Sequence, residues 1–145
     1  MLVAQPAPAG EQRPFVRGSW QELRQEHSGR SVVVHFWGLT CGPCLAELPR
    51  WAHFIREQPE LDVVMIAADP VVAEPEAIAS ALAKAGVAAA ESWVFADPFT
   101  ERLTYEIDPR WAGELPYTVL IRSDGAVKGW LGAADFSQLR EWADR

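Results

Sequence analysis

The segment Ser31–Trp37, Ser-Val-Val-Val-His-Phe-Trp, limits the fold more than any other stretch of the chain. It is β-branched and aromatic, nearly all apolar, and lacks the alternation of a strand with one wet face. Such a run suits a strand buried on both faces, in a sheet with helices on each side. Leu61–Ala68 (LDVVMIAA) is a second run of the same kind. Between them, Cys41 to about Gln58 reads as a helix, with Leu45, Leu48, Ala52 and Ile55 near helical spacing. Pro49 lies inside that helix and is expected to kink it.

The remaining elements follow from local signals. Ser19 is placed to cap a short helix from Trp20 to about His27, with Glu22 as its capping-box partner, and Ser28-Gly29 ends it. Pro75 opens a helix that runs to about Lys84 and stops at Gly86. Ser92–Ala96 reads as a short strand, and Asp97-Pro98 precedes a helix to about Tyr105. Tyr117–Arg122 and Ala126–Leu131 form a hairpin about the turn Ser123-Asp124-Gly125. Asp135 caps a last helix ending near Ala143. Crossovers first and a hairpin last imply an α/β fold: a central mixed β-sheet with helices on both faces. Residues 1–18, with three prolines and two glycines, are expected as an extended N-terminal segment. Residues 19–145 are expected as a single domain, since 49% apolar residues suffice for one core at this length.

A net charge of −7 argues against a nucleic-acid partner, which needs a basic footprint. No run approaches the roughly 18 apolar residues of a membrane span. Met1–Pro8 has neither the charged start nor the apolar centre of a signal peptide. A cytoplasmic start and a chain whose leader has been removed both fit.

Two cysteines are too few for a disulfide-stapled scaffold, so the fold rests on burial and the cysteines are free for chemistry. Cys41 and Cys44 stand at i and i+3 where a strand ends and a helix begins, so their side chains share a face. A helix N-terminus offers unpaired N–H groups and partial positive charge, which lower a cysteine's pKa. Gly42 lets a partner's backbone approach, and Pro43 falls in the first turn, where its missing N–H costs nothing. Cys41 is then the attacking thiolate and Cys44 the thiol that resolves the mixed disulfide. Half a zinc site is the competing reading, but no second cysteine pair exists and His27, His35 and His53 lack finger spacing. An inert structural disulfide also competes, although so short a loop gains little entropy. No metal or other cofactor is expected.

VVVHFWGLTCGPCLAELP resembles the active-site segment of thioredoxin-like proteins, and Gly113-Glu114-Leu115-Pro116-Tyr117-Thr118 resembles their cis-proline loop. Cys44-Leu45-Ala46-Glu47-Leu48-Pro49 and the insertion between Asp69 and Asp97 are most similar to the TlpA/DsbE/ResA-like branch of thiol:disulfide interchange proteins. The resemblance spans roughly residues 15–145 and implies a thioredoxin-like fold. It also implies a cis Leu115–Pro116 bond beside the cysteines, Trp37 next to the disulfide, and a thiol–disulfide oxidoreductase. Two positions depart from the family. Thr40 stands before the first cysteine, where tryptophan is usual. His35 occupies the buried position where thioredoxins carry Asp and the TlpA-like branch often Asn. His35 is either the acceptor of the Cys44 proton or a hydrogen-bonded core histidine. Glu47 either relays protons or solvates the helix surface. Trp111 and Trp130 are candidates to line a substrate groove.

The alternative function is a copper-binding chaperone-like module on the same fold, although copper-delivery relatives usually space their cysteines by three residues and use a distal histidine. A peroxiredoxin-type peroxidase is disfavoured: that branch shows a Pro-x-x-x-Thr-x-x-Cys pattern, and the residue seven before Cys41, where the proline belongs, is Val34. The TlpA-like resemblance implies a periplasmic location, with cytoplasm as the alternative. It implies protein disulfide or dithiol substrates, apocytochromes c among them. The reductant would be a membrane thiol donor or a thioredoxin-reductase-like protein, and the chain a monomer.

Overall fold

The computed structural model describes residues 11–144. Six strands form one sheet in the order β1-β4-β3-β2-β5-β6. These are β1 (Gln12–Phe15), β2 (Val32–Trp37), β3 (Asp62–Ala67), β4 (Glu91–Phe95), β5 (Tyr117–Ile121) and β6 (Val127–Leu131). The helices are α1 (Ser19–Glu26), α2 (Gly42–Glu57), α3 (Pro75–Ala85), α4 (Thr100–Ile107) and α5 (Phe136–Ala143). β1, β4, β3 and β2 run parallel, and β5 and β6 add antiparallel. This is the mixed sheet the sequence implies. β2 is central and every one of its residues is buried, as a strand covered on both sides requires.

Alternation along β2 divides the core in two. Val33 and Trp37 pack with Cys44, Leu48 and Trp51 of α2, Ile78 and Leu82 of α3, and Phe136 and Leu139 of α5. Val32, Val34 and Phe36 face the other way, against Trp20 and Leu23 of α1 and Leu103 of α4. Each face thus has its own helices and its own apolar cluster.

Several local expectations need correction. The lead-in over residues 1–18 includes strand β1, which pairs with β4 and buries Phe15 against Trp93 and Phe95; residues 1–10 lie outside the described residues. Pro14 is tolerated there because β1 is an edge strand. Ser19 is the first helical residue rather than the cap. Its Oγ accepts from Val16 N–H at 2.9 Å, and Glu22 turns instead to Arg13. On α2 the buried stripe is Cys44, Glu47, Leu48, Trp51, Ala52 and Phe54, which leaves Leu45 exposed. Asp135 does cap α5, accepting from Gln138 N–H at 3.0 Å. Among the described residues, no helix is long and apolar enough to cross a membrane.

His27 fastens the end of α1 to the sheet. Its Nδ1 lies 2.7 Å from Asp62 Oδ2 and its Nε2 3.3 Å from Glu91 Oε1, with Arg30 and Arg13 pairing the same carboxylates. Burial lowers the His27 pKa, but hydrogen bonds and charge from Glu91 and Asp62 outweigh it, and the net shift is upward. A base whose folded pKa exceeds its unfolded value stabilises fully below the unfolded value, about 6.5, and loses that stability as pH rises through the folded one. Urea unfolding should therefore show a loss of stability above neutrality that a His27→Gln variant lacks. Equal pH slopes in the two proteins would refute the fastening role.

Candidate active site

The site is assembled where β2 ends and α2 begins. Ala68 N–H donates to Trp37 carbonyl at 2.7 Å, so β2 and β3 end flush, and the chain turns through Gly38, Leu39 and Thr40. Cys41 N–H donates back to the Gly38 carbonyl at 3.3 Å and closes that turn. Cys41 is the N-cap of α2, in extended conformation, and Pro43 occupies the first turn. Cys41 and Cys44 are joined by a disulfide, Cα atoms 5.2 Å apart. Cys44 N–H donates to Cys41 Sγ at 3.3 Å, so an orphan donor of the helix N-terminus points at the outer sulfur. Cys44 is fully buried, whereas Cys41 is half-exposed and Thr40, Gly42 and Pro43 are open to solvent. The two sulfurs are chemically alike and sterically unlike.

On the face of the sheet that holds Cys44 lies a buried polar pair. His35 projects from β2 to the same face as Trp37 and is wholly buried. The β2–β5 register sets it opposite Thr118, and His35 Nδ1 hydrogen-bonds Thr118 Oγ1 at 2.9 Å. Its Nε2 lies 3.5 Å from Glu47 Oε1, too far for a good hydrogen bond, and has no hydrogen-bond partner among the described residues. Trp51 packs against the imidazole at a tilt of 35°, with centroids 4.3 Å apart. Glu47 sits one turn after Cys44 and is only 5% exposed, so it does not solvate the helix surface. Its Oε1 accepts from Trp51 Nε1–H at 2.8 Å and its Oε2 from Ala134 N–H at 2.9 Å. Burial pushes the His35 pKa down to about 3, so the imidazole is neutral at physiological pH.

The loop before β5 closes the other side. Leu115–Pro116 is a cis peptide; Pro116 is buried, and Leu115 packs against both apolar clusters. A Cβ placed on Gly38 would meet Leu115 Cδ1 at 3.1 Å, which brings this loop against the turn before Cys41. The same Cβ would meet Asp69 Oδ1 at 2.7 Å. Asp69, noted in the sequence only as the start of an insertion, is thus part of the site's frame. A polar residue ending a buried strand, followed by Pro70, was the available signal. Trp37 is fully buried in the cluster that holds Cys44. Trp111 does not line a groove: it is buried on the opposite face, stacked on Tyr117, with its Nε1–H given to the Glu114 carbonyl. Trp130 is half-buried on β6 and meets Trp142 edge-on.

No family model matches the chain, and no curated protein matches its sequence. Solved structures do match in fold. A secreted Mycobacterium tuberculosis disulfide oxidoreductase homologous to Escherichia coli DsbE is 22% identical, with a TM-score of 0.66 over 83% of this chain and 84% of that one. A thioredoxin-related protein from Neisseria meningitidis serogroup B is 22% identical, with a TM-score of 0.65 over 83% and 87%. A putative thiol:disulfide interchange protein DsbE from Chlorobium tepidum is 24% identical, with a TM-score of 0.58 over 81% and 79%. The chain therefore has the thioredoxin-like fold, with a Cys-Gly-Pro-Cys disulfide at the start of α2.

Proposed function

We propose that the protein is a thiol–disulfide oxidoreductase that exchanges disulfides with protein substrates through Cys41 and Cys44. The observation that carries this reading is the asymmetry of the pair: a half-exposed sulfur at a helix N-cap, bonded to a buried one a turn deeper. In the reduced protein, the Cys41 thiolate attacks a substrate disulfide and forms a mixed disulfide, expelling one substrate thiolate. Cys44 then loses its proton and attacks Cys41 Sγ. The Cys41–Cys44 bond re-forms and the second substrate thiolate leaves. Reversal of the same steps oxidises a substrate dithiol.

The proton of Cys44 goes to the His35–Glu47 pair. A neutral imidazole beside a carboxylate carries one negative charge, and one added proton neutralises it without leaving a buried net charge. Thr40 replaces an aromatic cover by a small hydroxyl and opens the approach to Cys41. The Leu115–Pro116 loop offers backbone for an extended substrate segment. A location outside the cytoplasm fits relatives in fold described as secreted, and there a membrane thiol donor would return the pair to its dithiol form.

Equilibration with glutathione buffers, followed by alkylation of free thiols, tests the reading. One equivalent of disulfide per chain should interconvert with the buffer, and the dithiol form should reduce insulin. Tight stoichiometric Cu(I) binding with no disulfide exchange would replace this reading by that of a copper-binding module.

A further inference from the structure

Asp69 is a buried carboxylate with no cation. It is 5% exposed and takes part in no ion pair among the described residues. Its Oδ1 accepts from Thr40 N–H at 3.3 Å and from Thr40 Oγ1–H at 3.4 Å, both long. Its Oδ2 is buried and has no hydrogen-bond partner among the described residues. Buried acids are normally satisfied, and an unsatisfied one calls for an explanation. Its position supplies one. The carboxylate is pressed against Gly38, beside Leu115, under the turn that delivers Cys41.

We infer that Asp69 is a positioning residue that sets the redox equilibrium of the Cys41–Cys44 pair, acting through Thr40 and through its charge beneath the turn. The inference rests on the oxidoreductase reading and deepens it. Two influences meet at Cys41 when the disulfide is reduced. The α2 N-terminus and the Cys44 N–H stabilise a thiolate there. A carboxylate one residue away along the contact path opposes it. Consecutive Cα atoms are about 3.8 Å apart, so the Cys41 sulfur lies roughly 6–9 Å from a group that touches Thr40 N–H. At that range, in a medium of effective dielectric about 20, a unit charge moves a thiol by roughly 1.4–2 pK units, and solvent screening at the half-exposed Cys41 brings this to about one. The disulfide carries no charge at Cys41 and does not feel this repulsion. Asp69 therefore disfavours the reduced, ionised form and keeps the pair a stronger reductant than its helix N-terminus alone would make it.

The experiment compares the wild-type protein with Asp69→Asn and Asp69→Glu. The Asn variant keeps the shape and a hydrogen-bond acceptor for Thr40 but removes the charge; the Glu variant keeps the charge. Thiolate absorbance against pH gives the Cys41 pKa, and glutathione equilibria give the redox constant. Asp69→Asn should lower the Cys41 pKa by about one unit and shift the equilibrium up to tenfold towards the dithiol, about 30 mV. Asp69→Glu should stay close to wild type. An Asn variant that matches wild type, or a Glu variant that shifts as far as Asn, overturns the inference. If Asp69→Asn does not fold, the Cγ resonance of Asp69 in the reduced wild-type protein decides. A carboxylate signal that moves as Cys41 ionises supports it; a neutral acid, or a carboxylate blind to that titration, refutes it. A wild-type protein that exchanges no disulfides would instead remove the oxidoreductase reading itself.

Discussion

A Cys41→Ser variant will lose disulfide reduction by on the order of a thousandfold or more, and it will form no mixed disulfide with substrate. Serine's hydroxyl is almost wholly protonated near neutrality, whereas a cysteine at a helix N-cap is substantially thiolate. Cys44→Ser will also stop turnover, but at a different point. Its Cys41 remains half-exposed at the N-cap, so the first attack proceeds and the mixed disulfide accumulates for want of a resolving thiol. Gel mobility under non-reducing conditions, with each variant mixed with a disulfide-bonded protein, separates the two cases. Burial makes the contrast large: Cys44 has no exposed surface, and a substrate disulfide cannot reach it without opening α2. Placing a hydroxyl at that buried position costs roughly 1–3 kcal/mol, within the 5–15 kcal/mol margin of a domain this size, so the variant remains folded. Trapping through Cys44 in the Cys41→Ser protein would reverse the assignment of nucleophile and resolver.

The fold was legible where local chemistry and tertiary context agree. Val32–Trp37 and Asp62–Ala67 are buried on both faces, and continuous apolar runs announce that. Asp135 and Gly86 end or begin helices by properties of their own side chains and backbone. Strand β1 was not legible because its stability is not local. It has four residues, one of them proline, and its partner β4 lies some eighty positions away. The Ser19 cap failed for a related reason: the hydroxyl had a second acceptor role, towards Val16 N–H, which depends on how the chain enters from β1. The stripe on α2 was read one residue off because Leu45 is more apolar than Glu47, yet Glu47 is the buried one. Hydropathy cannot register that two donors, from Trp51 and from Ala134 eighty-seven positions away, wait for that carboxylate. The same applies to Asp69, whose place against Gly38 and Thr40 follows from the flush ends of β2 and β3 rather than from any motif.

Replacing Glu47 by alanine will cost about 2–4 kcal/mol of stability and slow the second half of exchange more than the first. The stability loss has a countable origin. Trp51 Nε1–H and Ala134 N–H both give their bonds to this carboxylate, and neither can reach water from its buried position. Each buried donor left unpaired costs about 1–3 kcal/mol, partly offset because a carboxylate no longer has to be desolvated. For a chain of this length the melting temperature should fall by roughly 5–15 °C. Glu47→Gln should fall between, since its amide oxygen serves one donor while its NH₂ confronts the other. The kinetic consequence distinguishes a proton-handling role from a purely structural one. Attack by Cys41 on substrate does not draw on the His35–Glu47 pair, so the rate of mixed-disulfide formation should stay within a few-fold of wild type. On the proposed proton route, resolution by Cys44 does draw on it. With the carboxylate gone, the remaining acceptor is an imidazole whose pKa burial has pushed down to about 3, too weak a base to take a thiol proton near neutrality. Resolution in Glu47→Gln should therefore become dependent on hydroxide, rising with pH across the range where the wild-type rate is flat. Rapid-mixing measurements of mixed-disulfide decay from pH 6 to 9 would show this, and parallel pH profiles in the two proteins would reduce Glu47 to a structural clamp on Trp51 and Ala134.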